Sequence, residues 1–403
     1  MTCPATVAII GGSVAGMRCA TTLARNGFHG DITLFEREDE TPYDKPQLSK
    51  GFLREGGQPR LLPTAAALRI RTATVAEVRA DRSVVTADGS SEQYNRVVIA
   101  SGCHPIFPAG IQPSGRIGAI RSAKDSRHIR QFLGPGRRLL IIGGGFLGLE
   151  AAATARDLGT EVIVVEAGPR ILVRGIRTEL AQQIERHHEA SGISLRTGQA
   201  VTAIGDDADH VYATVGGSEL IADYALVAIG VRPNVSFLAP DLDHDDGVSC
   251  DRHLQTNCPG IFGIGDCASF VNPRYDRRMR LEHWTSAGEQ AAYVARRIAL
   301  GDDADNSGCA ILPYVWSDQG SLHVQSVGLG TNAGPVVTLG DDDAAVIAVN
   351  LDTAGEVNGL SAINAQSTVL RARRALQAGP QPLGPFMDSV LQNTPNSFHT
   401  VSR

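Results

Sequence analysis

Two short glycine runs are the residues of this 403-residue chain best fitted to hold a ligand. The first is Val7-Ala8-Ile9-Ile10-Gly11-Gly12-Ser13-Val14-Ala15-Gly16, with Glu36 beyond it. The second is Leu139-Leu140-Ile141-Ile142-Gly143-Gly144-Gly145-Phe146-Leu147-Gly148, with Glu166 beyond it. Glycines at a strand-to-helix turn let the main chain approach a pyrophosphate, and the helix N-terminus adds free N–H groups and a partial positive charge. The carboxylate, about twenty positions further on, accepts hydrogen bonds from a ribose. One such turn says little. Two, each with its carboxylate, imply that one chain holds two dinucleotides.

The elements that must position these residues follow from the pattern around them. Residues 5–36 read as strand, turn, a helix from Gly16 to Asn26, and a strand from Asp31 to Phe35. Residues 138–166 repeat the plan, with Glu161 to Val165 as the second strand. Their β-branched content suits parallel strands buried on both faces, and two βαβ units so far apart imply two doubly wound domains. Val97 to Gly102 is an apolar strand ending in small residues before Pro105 and Pro108. Ala225 to Gly230 is its counterpart before Arg232-Pro233-Asn234, and each reads as a crossing between domains. Ile261 to Asp266 is a further strand, and Ala287 to Leu300 an amphipathic helix. Residues 301–308 form a polar linker. A third unit follows, with strands around Leu322–Val327, Val336–Leu339 and Ala344–Asn350 and a basic helix near Ser367–Leu376. The Pro- and Ser-containing tail after Gly379 reads as loosely ordered.

Hydrophobic residues at 42%, charged residues at 20% and a net charge of −6 describe a globular protein and speak against nucleic-acid or membrane-surface binding as its main task. Seven scattered cysteines show no C-x-x-C spacing, so reduced, mostly buried thiols are expected and no metal site. The strand pattern begins by Ala5, and no apolar stretch reaches the roughly eighteen residues of a membrane span. A cytoplasmic protein is expected.

Several segments carry a family resemblance. They are Thr41-Pro42-Tyr43-Asp44-Lys45-Pro46-Gln47-Leu48-Ser49-Lys50, the second glycine turn with Leu149-Glu150, Gly263-Ile264-Gly265-Asp266-Cys267-Ala268, Glu282-His283-Trp284, and Pro313-Tyr314-Val315-Trp316-Ser317-Asp318-Gln319. With them the chain resembles the FAD-containing, NADH-dependent ferredoxin reductases that feed electrons to bacterial oxygenases and cytochromes P450, the putidaredoxin-reductase-like group. The resemblance implies an α/β fold with two Rossmann-like domains of the glutathione-reductase type and a C-terminal α+β domain. We expect an FAD-binding domain in two segments, 1–107 and 232–305, around an NAD-binding domain, 108–231, with the C-terminal domain at 306–403.

The roles it implies are residue-specific. Gly11, Ser13, Ala15 and Gly16 cradle the FAD pyrophosphate and Glu36 its ribose, with Ser13 standing where the pattern has its middle glycine. Asp266, after Gly265, holds the ribityl chain. Arg121 and the backbone at Val75 are further FAD contacts, as are Lys45, Ser101, Gly102 and Trp284. Gly143, Gly145 and Gly148 receive the NADH pyrophosphate, with Gly230 beside them. Glu166 takes the ribose hydroxyls and repels a 2′-phosphate, so NADH is preferred to NADPH; Arg170 and Arg174 could blunt that preference. Lys50 and Glu150 form an ion pair beside the flavin, where the positive charge favours a reduced, anionic ring. Pro46 packs on the ring, and Trp316 shapes the electron exit. Gly320 stands where the family has a tyrosine.

Arg274, Arg277, Arg278 and Arg280 make a basic run suited to an acidic [2Fe-2S] or similar ferredoxin. A flavin disulfide reductase would need a cysteine where this chain has Ser49 and Lys50. An NADH oxidase or quinone reductase of the same fold is the alternative enzyme, and a nucleotide-binding sensor the alternative non-enzyme. Monomer and homodimer both stay open.

Overall fold

The computed structural model describes residues 5–301, 305–329, 334–339, 345–392 and 398–400. The chain divides into two compact units. The first comprises Met1–Lys45, Pro59–His104 and Arg232–Pro313; the second comprises Pro46–Gln58, Pro105–Val231 and Tyr314–Arg403.

The first unit is built on a five-stranded parallel sheet in the order Ile261–Gly263, Arg96–Ile99, Thr6–Ile10, Asp31–Glu36, Leu68–Thr72. Val7, Ile9, Leu34, Val97, Val98, Ile99 and Phe262 are wholly buried, as strands covered on both faces require. The Val14–Arg25 helix follows the first glycine turn and packs with the Trp284–Leu300 helix. That second helix begins three residues before the Ala287 expected from the apolar pattern, because its first turn is partly exposed. Val75 opens an antiparallel three-stranded sheet.

The second unit repeats the plan, in the order Ile193–Thr197, Glu161–Glu166, Arg138–Ile142, Tyr224–Val227, Ile117–Gly118. Its turn opens the Phe146–Asp157 helix. The C-terminal region adds a six-stranded antiparallel sheet, in which Tyr314–Gln319 pairs with Leu322–Gly328 and that strand with Val357–Ile363. Leu149, Leu180 and Ile184 share one core with Val324, Val346 and Ile363, so this sheet packs on the Phe146–Asp157 and Thr178–Ala190 helices.

Three findings differ from the sequence reading. Tyr314–Gln319 and Val357–Ile363 are strands that apolar alternation did not reveal. The tail is not loose where described: Leu383–Leu391 is a helix, with Phe386 and Val390 buried and the Val390 carbonyl accepting from Arg371 Nε at 2.7 Å. Pro385 is tolerated because it lies in the first turn, where its missing N–H would have no intrahelical partner. Gly320, with φ at +64°, is the first residue of the two-residue hairpin between Gln319 and Leu322, a position that favours glycine. Residues 302–304 of the expected linker and Ala344 lie outside the described residues.

Candidate functional site

Both glycine turns are built by the same interactions. Gly11 N–H donates to the Phe35 carbonyl at 2.9 Å, and Gly143 N–H to the Val165 carbonyl at 2.8 Å. Gly11 has φ +113° and a Cβ there would sit 2.4 Å from the Ala100 oxygen; Gly143 has φ +112° and 2.5 Å to the Ala228 oxygen. A side chain on Gly16 would meet the Gly11 oxygen at 1.9 Å, and one on Gly148 the Gly143 oxygen at 2.3 Å. These glycines are therefore obligatory for the loop itself. The third position differs. Ser13 (φ −90°) and Gly145 (φ −83°) share an extended backbone open to any residue, and a Cβ on Gly145 would meet nothing within 4 Å. Nothing in the loop itself requires glycine at this position, so Ser13 costs the backbone nothing.

The two glutamates also act alike. Glu36 Oε2 accepts from Gly12 N–H at 2.7 Å and Oε1 from Glu38 N–H at 2.9 Å. Glu166 Oε2 accepts from Gly144 N–H at 2.7 Å and Oε1 from Gly168 N–H at 2.6 Å. A carboxylate has about four acceptor positions, so each keeps capacity for ribose hydroxyls while tied to its own turn. Arg170 is spent on the carbonyls of Ile171, Leu172 and Ile176. A Cβ on Gly230 would lie 3.3 Å from Arg174 Nη2.

In the first unit the two expected FAD signatures meet. A Cβ on Gly265 (φ +73°) would lie 3.0 Å from Ala15 Cβ, and Gly265 N–H donates to Gln290 Oε1 at 2.7 Å. The Asp266 carbonyl accepts from Cys103 Sγ and Arg280 Nη1. Beside this junction, His283 Nδ1, Ser286 Oγ and Gln290 Nε2 are buried without a hydrogen-bond partner. Burial pushes the His283 imidazole down to about 4 and keeps it neutral. Orphaned polar atoms on one helix face, next to a cradle where added Cβ atoms would collide, fit a large polar cofactor such as FAD.

The remaining expected contacts are placed as follows. Ser101 Oγ donates to the Asn234 carbonyl at 2.7 Å, and the Gly102 carbonyl accepts from Asn234 N–H, which locks that strand end. Lys45 pairs with Glu38 at 2.6 Å and lies over the Tyr43 ring; Pro46 follows in the same short 3₁₀ turn. Trp284 Nε1 donates to Asp44 Oδ1 at 2.8 Å, and Arg60 pairs with the same buried carboxylate. Trp284, still 39% exposed, borders a cavity of about 580 Å³ shared with Val14, Arg18 and Glu289. Arg121 precedes the Ala123–Arg130 helix, whose Ser122–Asp125 capping box also takes the Arg121 N–H.

The second unit brings Lys50 and Glu150 together. Lys50 Nζ lies 2.6 Å from Glu150 Oε2, and Ser49 Oγ donates to the same oxygen at 2.5 Å. Glu150 Oε1 accepts from Ser317 Oγ at 2.7 Å. Glu150 is 7% exposed, one turn into the helix opened by the second glycine turn. The W-S-D-Q strand thus presents Ser317 to the pair. Trp316 lies on the alternate face, stacked on Tyr314 with ring centroids 6.1 Å apart. Sequence reasoning missed Ser49 and Ser317 as partners, although both stood inside the quoted motifs. It also missed His188 and Gln319, joined at 2.8 Å. The one signal for His188 was its place in line with Leu180 and Ile184 on an apolar helix face. Burial pushes the His188 imidazole below its ordinary value, against the opposing effect of the Gln319 hydrogen bond.

The six described cysteines are all free, and burial raises their thiols, which makes them poor nucleophiles. Among the described residues no cluster suits a metal, and no helix is long and apolar enough to cross a membrane.

Comparison with known proteins completes the picture. Residues 5–291 match the pyridine nucleotide-disulphide oxidoreductase family and residues 314–385 the reductase C-terminal family. The chain is 34% identical over 384 residues to the ferredoxin–NAD(+) reductase component of the p-cumate 2,3-dioxygenase system of Pseudomonas putida, covering 91% of this chain and 92% of that protein. A ferredoxin reductase from Rhodopseudomonas palustris superposes with a TM-score of 0.87 at 29% identity, over 96% of this chain and 97% of that one. The reductase of a covalent putidaredoxin reductase–putidaredoxin complex gives 0.84 at 28% identity, over 92% of each. With both family matches in order, and relatives of this identity over nearly its whole length, the chain belongs to the pyridine nucleotide-disulphide oxidoreductase family, among the ferredoxin–NAD(+) reductases that carry a reductase C-terminal domain.

Proposed function

We propose that this protein takes a hydride from NADH and delivers single electrons to a small iron–sulfur ferredoxin that serves an oxygenase or cytochrome P450. The observation that carries this reading is the pair of matched glycine turns on a chain that aligns over 91% of its length with a ferredoxin–NAD(+) reductase. Bound FAD supplies the conversion of a two-electron donor into two one-electron deliveries.

The chain's own residues bind and orient. On this reading segments 1–107 and 232–305 carry FAD, 108–231 carries NADH, and 306–403 completes the site, with Pro46–Gln58 packed on the NADH side. Gly11, Ser13, Ala15 and Gly16 offer helix N–H groups to the FAD pyrophosphate, Glu36 holds its ribose, and Gly265 with Asp266 holds its ribityl chain. Val75, Ser101, Gly102, Arg121, Lys45, Pro46 and Trp284 border the cofactor. Gly143, Gly145, Gly148 and Gly230 receive the NADH pyrophosphate, and Glu166 selects the unphosphorylated ribose. With Arg170 committed to backbone carbonyls, it offers a 2′-phosphate little. Lys50, held by Glu150, presents a positive charge to the flavin ring, and Trp316 screens it from water. Arg277 and Arg278, exposed on one hairpin strand, and Arg274 before them form the docking patch for an acidic ferredoxin. We place the protein in the cytoplasm.

The test is stopped-flow reduction of the yellow protein by NADH and NADPH, followed by mixing with acidic ferredoxins, a quinone and oxygen. Fast transfer to a ferredoxin supports the reading; faster transfer to oxygen or quinone favours the oxidase alternative. Arg277→Glu with Arg278→Glu should slow ferredoxin reduction about tenfold at low salt and leave reduction by NADH unchanged. Equal rates for variant and parent would remove the docking patch from the proposal.

A further inference from the structure

Glu150 ends a one-way chain of hydrogen-bond donors that begins on a helix outside every quoted motif. A carboxylate only accepts, so Ser317 Oγ commits its proton to Glu150 Oε1 at 2.7 Å. The lone pairs of that hydroxyl then face Gln319 Nε2, which donates to it at 3.1 Å. This orientation of the amide leaves Gln319 Oε1 to accept from His188 Nε2 at 2.8 Å. Every donor points toward the carboxylate. Gln319 and Ser317 are 0% exposed and His188 1%, so no water competes for these positions. The other carboxylate oxygen is filled by Ser49 and Lys50.

We propose that His188, acting through Gln319 and Ser317, is a positioning residue that locks the Glu150 carboxylate and through it aims the Lys50 ammonium. The proposal rests on the reading that this ion pair serves the flavin. The physical reason is that Lys50 sits on a flexible four-carbon stem and takes its direction from its partner. A carboxylate held at only one oxygen turns about its last bond, whereas one held at both by buried donors does not. His188 is the end of the chain that rigid structure supplies: it is anchored on the Thr178–Ala190 helix beside the buried Ile184. In its neutral form it has one N–H to give, and the chain requires that proton on Nε2.

The experiment uses the full-length, FAD-loaded protein. The rate of flavin reduction by NADH and the midpoint potential of the bound flavin are measured for His188→Leu, His188→Gln and Ser317→Ala, each alone and combined with Glu150→Gln. His188→Leu should slow reduction about fivefold and move the potential. His188→Gln, which keeps a donor in reach of Gln319, should restore most of both. Neither change should add to the effect of Glu150→Gln, since the chain then has no carboxylate to hold. If Glu150→Gln moves rate and potential while His188→Leu and Ser317→Ala move only the unfolding temperature, the relay is structural and the proposal fails. If Glu150→Gln moves neither, the ion pair does not serve the flavin, and the reading beneath the proposal fails first. Should His188→Leu not fold, Ser317→Ala cuts the chain at the carboxylate and decides the same question. Nitrogen NMR of the His188 ring checks the direction without reference to the flavin. A protonated Nε2 supports it, and a bare Nε2 overturns it.

Discussion

The first and second glycine turns are the same device used twice, and the helices that leave them part company within two turns. The obligatory glycines, the strand hydrogen bonds and the tethered glutamates correspond almost atom for atom. Counting from Gly11 and Gly143, the position of Arg18 in one helix is that of Glu150 in the other. Arg18 is exposed and borders a cavity; Glu150 is buried under Ser49, Lys50 and Ser317. The surroundings differ too. Beside the first cradle His283, Ser286 and Gln290 leave polar atoms unpartnered, while the helix of the second turn meets a closed polar network. On the proposed function this contrast is sensible. A resident cofactor can complete the polar network of its own site, whereas a site visited by a substrate must stand between visits without it.

The sharpest way to break the comparison is to damage both turns identically. Gly16→Val and Gly148→Val each force a side chain onto a carbonyl oxygen, and each should weaken its ligand by more than about 3 kcal/mol, or over a hundredfold. The first variant should purify colourless and the second yellow but slow to bleach with NADH. Two colourless proteins would mean that the turns are not independent sites.

Next in size are the glutamates. Glu166→Ala should weaken NADH about thirtyfold and narrow the gap to NADPH, read from the two dissociation constants. Glu36→Ala should instead raise the dissociation constant for FAD, with the NADH preference unchanged. A changed NADH preference in Glu36→Ala would blur the assignment of the two turns.

Lys50→Met probes the point where the helices diverge. It leaves Glu150 with hydroxyl donors only, and reduction of the flavin by NADH should slow about tenfold. Arg18→Met, at the matching place in the first helix, should leave that rate as it was. The smallest effect belongs to the third turn position. Ser13→Gly and Gly145→Ser should each change stability by less than about 1 kcal/mol in thermal unfolding, because both residues have extended backbones. Gly145→Ser should nevertheless cost NADH affinity, since on the proposed function the pyrophosphate would enter the open space beside it.

Much of this was legible in the residues. The parallel sheets follow from runs such as Val7 to Ile10 and Leu139 to Ile142, and the turns from glycines whose conformations no other residue adopts cheaply. The strand Tyr314–Gln319 was not legible, because its buried positions are the polar Ser317 and Gln319. Val357–Ile363 was hidden for a related reason. It is an interior strand containing Asn358, Gly359 and Ser361, and a Cβ on Gly359 would fall 2.4 Å from the Leu329 oxygen.

By itself the amino-acid sequence determined what is local: where the chain must turn, which strands are buried on both sides, and which carboxylate follows each turn. These depend on backbone angles and on spacing along one segment. Only the tertiary structure decided that Glu150 is a buried carboxylate with both oxygens hydrogen-bonded while its counterpart Arg18 faces outward. It also decided that His188, from a distant helix, stands behind Glu150. The partners that settle those roles come from segments 100, 167 and 131 residues apart in the pairs Lys50–Glu150, Glu150–Ser317 and His188–Gln319. No pattern within a single element records which of them will meet.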